Sequence, residues 1–279
     1  MSWLIAADSS CEIRTLSCSV SDVNFSLIPF KIIIGDKEYI DDEDLDVDDM
    51  LREMTEYKGA SRTSCPSPHD WAEVFKTADN VLAITISHNL SGSYNAAVSA
   101  REMVLEEYPE KNIFILDTLS CAGALAGAAE LADKLIGEGS SFNKVCSAIK
   151  EFTENSHIMF GLASFENLAK AGRVNRVVGY IAGKLNMRVL GKRTVEGTID
   201  FFYKTKGEKN ILDKVISTMQ TDLFDGSNPV MISNCNNIPA AEQLKERILS
   251  IWPKARVRLE KCGGLCSFYA QDKGFIITY

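Results

Sequence analysis

The sequence predicts an α/β protein in two parts: an N-terminal parallel-sheet α/β domain over 1–154 and a C-terminal mixed α+β domain over 155–279. Three observations carry this. Strands and helices alternate through residue 153, the pattern of a parallel sheet covered by helices. VLAITIS (81–87) is a continuous apolar run, as expected of a strand buried on both faces. Beyond residue 157 the alternation gives way to a hairpin pattern and isolated segments. With 279 residues and 46% hydrophobic content the chain can bury a core of one large or two medium domains. No proline-rich or glycine–serine linker marks the boundary, which rests on the change of pattern alone.

WLIAAD (3–8) reads as a buried strand ending at Asp8, with Ser9–Ser10 as a polar turn. FSLIPFKIII (25–34) is a second apolar run, in which Pro29 marks an edge or a bend. Seven acids follow between Asp41 and Asp49. Their spacing mimics an EF-hand loop, but Asp49 stands where that loop needs glycine and Thr55 where it needs glutamate. They fit better as acids at the start of a helix, where free N–H groups favour negative charge. TSCPSPHDW (63–71) places Thr63, Ser64 and Ser67 in a loop before Trp71, Val74, Phe75 and Ala78, which recur at helical spacing. Ser67 with Asp70, and Pro68 at the first turn, resemble a capping box. Thr63 and Ser64 have no such duty.

After VLAITIS come HNLSGSYNAA and a helix to about Tyr108, the strand NIFILD (112–117), a Gly- and Ala-rich helix over TLSCAGALAGAAELADKLIGEG, and a third helix over SFNKVCSAIKEFT. In the second half, HIMFGLAS is a strand, FENLAKAG and VNRVVGYIAGKLN are short helices, and RVLGKRTVEGTIDFFYKTKG is a hairpin turning at Glu196–Gly197. A helix over 208–223, the strand PVMISN, the helix AAEQLKERILSIW and a strand-ended terminal segment complete the chain.

A formal net charge of -8 argues against a general nucleic-acid or anionic-membrane surface. No apolar run reaches spanning length, and the N-terminus lacks the basic region of a signal peptide. The chain therefore reads as cytoplasmic, without integral membrane association. Eight scattered cysteines form no CxxC pair, and Cys262 and Cys266 lack the further ligands that zinc requires. No metal and no cofactor are expected. G-x-G-x-x-G and G-x-S-x-G are absent, and GYIAGKL (179–185) is no P-loop, since its glycines are too close and Leu185 replaces the magnesium-binding hydroxyl.

What remains is two hydroxyl-rich loops, TSCPS (63–67) and SHNLSGS (87–93), each immediately before a helix. The second lies at the carboxyl end of a buried strand, where ligands of open parallel sheets bind. Helix N-termini attract anions, and Gly92 permits close backbone approach. Both loops read either as ordinary helix caps or as a seat for a carboxylate or phosphate. His88 beside Ser87 and Ser91 offers a nucleophile–base pair, although no acid that would orient His88 is identifiable, and Cys65, near a helix N-terminus, is a separate candidate nucleophile.

Taken in order, Asp8–Ser9, TSCPS, ITISHNLSGSYNAA, FILDTLSCAGA and FENLAKAGRVNR make the chain resemble the DegV family of bacterial fatty-acid-binding proteins, which includes the acyl-carrying subunits of fatty acid kinase. The resemblance implies the two-domain DegV fold, also called the EDD fold, and a long-chain fatty acid such as palmitate held in a tunnel. Thr63 and Ser91 would bind its carboxylate, with Ser93, Ser64 and Gly92 as helpers, and residues 121–129 would border the acyl chain. It implies a noncatalytic lipid carrier. The alternatives are an accessory subunit that presents the fatty acid to a kinase catalytic subunit, or an acyl hydrolase using Cys65 or Ser91. Arg173 would contact the partner or the acyl phosphate. Tyr269 stands where kinase-coupled members carry a histidine, and Cys65 stands where the family commonly has glutamine.

Overall fold

A computed structural model describes residues 1–174 and 186–279. The first sheet contains β1 (Trp3–Asp8), β2 (Val23–Ile28), β6 (Asn80–Thr85) and β7 (Asn112–Asp117), all parallel in the order β2-β1-β6-β7. The period of two along each strand sorts its side chains between two cores. Leu4, Ala6, Val81 and Ala83 pack with Trp71 and Phe75 of α2 (Pro68–Phe75) and with Ala97 and Val104 of α3 (Ser93–Glu107). Ile5, Ala7, Leu82 and Ile84 face α4 (Gly123–Gly137) and α5 (Phe142–Asn155). Both faces are covered, so VLAITIS carries no polar alternation.

The second sheet runs β10-β9-β8-β13-β11-β12. It is built from β8 (Ile158–Leu162), β9 (Met187–Arg193), β10 (Ile199–Lys206), β11 (Val230–Cys235), β12 (Val257–Lys261) and β13 (Gly274–Thr278). Among its described strands, β11 and β12 alone pair in parallel. The expected hairpin is β9–β10, turning at Gly197 with φ +77°, a conformation that favours glycine. Met159, Ile232 and Ile277 pack beneath α7 (Glu208–Thr221) and α8 (Ile238–Ile251).

The other face of this sheet is covered from the first half of the chain. FSLIPFKIII is not one strand: Pro29 separates β2 from β3 (Lys31–Ile34), which pairs antiparallel with β4 (Lys37–Ile40) and β5 (Ser61–Ser64) in a third, small sheet. Phe30, Ile32, Ile34 and Met50 share a core with Ile158, Phe160, Ile276 and Phe268. Each such side chain contributes roughly 1.5–3 kcal/mol by burial. Residues 30–51 therefore complete the core of the second sheet. Phe268 belongs to α9 (Gly264–Ala270), which packs against β3, β8 and β13.

The acidic run divides. Asp46 caps α1 (Val47–Glu56), accepting from the Asp48 and Asp49 N–H groups, as the helix-start reading expects. Asp41 is fully buried and belongs elsewhere, at the N-terminus of α9. The FENLAKAG helix is α6 (Glu166–Lys170). The helix expected over VNRVVGYIAGKLN and the whole of GYIAGKL fall, but for the former's end residues, outside the described residues.

Candidate functional site

Thr63 and Ser64 lie on a strand rather than in a loop. β5 is an edge strand paired with β3, and Thr63 stands opposite the fully buried Ile32. The alternation turns Thr63 inward. The loop proper is Cys65–Ser67, where Ser67 and Asp70 form the expected capping box. The second hydroxyl-rich segment leaves β6 and turns tightly, the Leu90 and Ser91 N–H groups both donating to the Ser87 carbonyl. Gly92 is the N-cap residue of α3, with no side-chain cap. Its lack of a side chain serves a close approach, since a Cβ there would stand 3.3 Å from Cys65 Sγ. The two loops meet at this contact.

They meet over a cavity of about 280 Å³ bordered by the third sheet, the second sheet and α9, lined by Thr63, Ser64, Cys65, Ser91, Gly92 and Arg173 at its polar end. Its volume falls at the lower edge of small-molecule sites, ~300–1,000 Å³. Phe30, Ile86, Phe160, Leu162, Ile199 and Ile276 form the apolar wall. Cys121 and Cys266 also border it, and burial pushes both thiols upward, so they stay neutral. Arg173 is the one charged side chain among the described residues of the lining. It is exposed, and its Nε donates to the Leu90 carbonyl at 2.9 Å, tying the second half of the chain to the Ser91 loop.

Counting hydroxyl protons shows which groups can donate to an anion. Ser91 Oγ accepts from the Ser93 N–H at 3.2 Å and keeps its own proton. Thr63 Oγ1 and the Tyr269 hydroxyl share one hydrogen bond of 2.9 Å; one of the two donates, and the other has a proton left. Tyr269, on α9, also lines the cavity. Sequence reasoning noted this residue only as a departure from a histidine. Nothing local reveals that it meets Thr63, 206 positions away.

Ser93 does not join this group. It is absent from the described lining, fully buried, and its hydroxyl donates to Asp8 Oδ2 at 2.7 Å. Ser10, on the cavity wall, likewise donates to Asp8 Oδ1 at 2.6 Å. Asp8 also accepts the Ile86 and Ser10 N–H groups. Burial raises its pKa, against the lowering effect of these four donors. The small-residue stretch 121–129 is also placed differently: Cys121 alone of it borders this cavity. Gly123 and Gly127 instead let α4 lie against Thr278 and Phe152, where a Cβ would stand 2.8 and 2.4 Å from the nearest atoms.

The hydrolase reading loses its base by geometry. His88 pairs with Asp117, an acid that sequence reasoning did not find, on a separate cleft with Lys192 and Arg193. No histidine borders the Cys65–Ser91 cavity among the described residues. No group of metal-binding side chains occurs among the described residues, and no described helix is long and apolar enough to cross a membrane.

The sequence profile of the family described as “Uncharacterised protein, DegV family” matches residues 2–276. A DegV domain-containing protein of Streptococcus pyogenes serotype M3 is 36% identical over 279 residues, covering 100% of this chain and 99% of the relative. Among solved structures, the fatty acid kinase B3 protein of Streptococcus pneumoniae loaded with linoleic acid superposes with a TM-score of 0.96 at 34% identity, covering 100% of this chain and 99% of that one. A DegV family protein from Eubacterium eligens loaded with heptadecanoic acid gives 0.94 at 31% identity, covering 99% of each chain.

Proposed function

This chain belongs to the DegV family, and we propose from that premise that it binds one long-chain fatty acid and carries it without chemical change. The tail lies along the Phe30, Ile86 and Phe160 wall. The carboxylate accepts from Ser91 and from the free proton of the Thr63–Tyr269 pair, with Ser64 and the Gly92 backbone beside it and the Arg173 guanidinium at the polar end. The observation that carries this reading is the cavity itself: a mostly apolar wall, with hydroxyl donors at one end and, among the described residues of the lining, one cation beside them. Each methylene buried contributes ~0.8 kcal/mol, so the tail supplies most of the affinity and the donors fix the position of the head group.

The likeness to a fatty acid kinase subunit loaded with linoleic acid favours a second reading, in which the bound acid is presented to a separate kinase. A cytoplasmic carrier suits both. Native mass spectrometry of the purified protein, followed by solvent extraction, tests the first reading. One fatty acid per chain is expected; no lipid, and no uptake of added fatty acid, refutes it. Acyl phosphate formed from the loaded protein with ATP and a kinase catalytic subunit supports the second reading, and its absence under conditions where a kinase-coupled relative reacts refutes it.

A further inference from the structure

The turn after β1 carries an acid that the site above does not use. Glu12 is 4% exposed. Its Oε2 accepts the Gly263 N–H at 2.8 Å, and its Oε1 is buried with no hydrogen-bond partner among the described residues. Gly263 is the N-cap residue of α9, the helix that bears Leu265, Cys266, Tyr269 and Ala270 on the cavity wall.

A second carboxylate holds the same helix end. Asp41 accepts the Gly264 and Leu265 N–H groups and the Ser9 hydroxyl, at 2.7, 2.8 and 2.8 Å. Arg14 pairs with Asp41 at 3.0 Å. Gly263 and Gly264 make this possible: a Cβ on the first would overlap the Arg14 guanidinium, and one on the second would stand 2.7 Å from Asp41 Oδ1. Two acids and one arginine therefore share the site, and the arginine's short contact is with Asp41. Among the described residues, Glu12 is the acid left without an ion pair.

Its other titratable neighbours do not supply a counter-charge. Cys11, Cys121, Cys262 and Cys266 are thiols that burial pushes up and keeps neutral. Asp8 lies behind Cys11 and is itself acidic. In the outer cleft that Glu12 borders, Asp42 and Glu43 add negative charge, and the cations are already paired, Arg258 with Glu130 and Glu260, Lys261 with Asp48. Burial accordingly pushes Glu12 up to about 7.

We infer that Glu12 is a proton-linked latch on the cavity: a bound carboxylate favours its protonated form, and its ionisation favours release. The inference rests on the fatty-acid reading. Glu12 contacts the helix cap directly, and Cys266 connects it to the cavity wall, so ligand and Glu12 bring like charges into one low-dielectric region. A group titrating in the physiological range then takes up a proton when the acid binds and loses it more readily when the cavity empties.

The test is isothermal titration calorimetry of the delipidated full chain with palmitate and with hexadecanol, near pH 7, in two buffers of different ionisation enthalpy. Net proton uptake with palmitate and none with hexadecanol is expected. Palmitate affinity should fall by up to about tenfold from about pH 6 to about pH 8, the equivalent of one unit of linked shift. Glu12→Gln keeps an oxygen for the Gly263 N–H and should abolish both effects while binding palmitate at either pH. Palmitate binding without proton uptake overturns the latch, as does uptake that persists in the folded variant. No binding of palmitate at any pH overturns instead the fatty-acid reading on which it stands.

Discussion

The Thr63–Tyr269 pair makes an unusual prediction about additivity. Together the two hydroxyls hold two protons, and their mutual hydrogen bond uses one. One proton remains for a ligand carboxylate. Thr63→Val frees the tyrosine proton for the ligand, and Tyr269→Phe frees the threonine proton. Each single variant therefore still donates once; the neutral hydroxyl–hydroxyl bond it loses is made without ligand as well, so its loss lowers stability and should leave affinity within about twofold. The double variant donates nothing. It loses a hydrogen bond to a charged group, worth ~1.5–3 kcal/mol. The double loss of affinity should therefore exceed the sum of the single losses by roughly 1.5–3 kcal/mol, within the range of coupling between residues in one network. The assay is equilibrium binding of palmitate and of hexadecanol to all four proteins. The coupling should appear with the acid and shrink with the alcohol. Single effects that simply add, or equal coupling for both ligands, would refute the shared-proton account.

Further outcomes follow from the same geometry. Ser93→Ala should lower stability by roughly 1.5–3 kcal/mol, because it removes a buried donor to Asp8, yet leave the ratio of palmitate to hexadecanol affinity unchanged; thermal denaturation and binding together check this. Gly161→Ala should destabilise the second sheet by roughly 1–3 kcal/mol, since its Cβ would stand 2.1 Å from the Phe275 ring; urea denaturation reads the loss. Glu12 has its pKa raised in the folded state from 4.5 to about 7. Its stabilising contribution is complete below pH 4.5 and is lost as the pH rises to about 7, a change of roughly 3 kcal/mol. Glu12→Gln should therefore match the parent near pH 4 and be more stable near pH 8, as denaturant midpoints at the two pH values will show.

Much of this was legible in local sequence. The two-sided burial of β6, the capping box at Ser67, the cap of α1 by Asp46 and the β9–β10 turn at Gly197 each depend on residues within one element or its immediate neighbour. That Cys65 meets Ser91 and Gly92 was legible because each segment immediately precedes a helix, whereas Thr63 and Ser64 join them from the edge strand β5, which the loop reading did not anticipate. Other residues carried signals open to more than one reading. Asp41 stood among acids belonging to another helix, Ser93 shared its motif with Ser91, and the small residues of α4 fit helix packing as well as a tunnel wall.

The sequence by itself determined the main strands and helices of the first sheet, the β9–β10 hairpin and the helix caps, because periodicity, capping and turn chemistry act within about a dozen residues; it left the split of FSLIPFKIII, the strand β5 and the helix α9 to the tertiary structure. Tertiary structure alone decided how the hydroxyls are used. Ser91 and Ser93 lie two apart, yet one faces a cavity and the other a buried carboxylate. Thr63 acquires Tyr269, and Glu12 acquires Gly263, across more than 200 residues of chain. A hydrogen bond is made over about 3 Å of space, and the proximity it needs is created by packing two sheets and a helix around one core. No spacing along the chain encodes it.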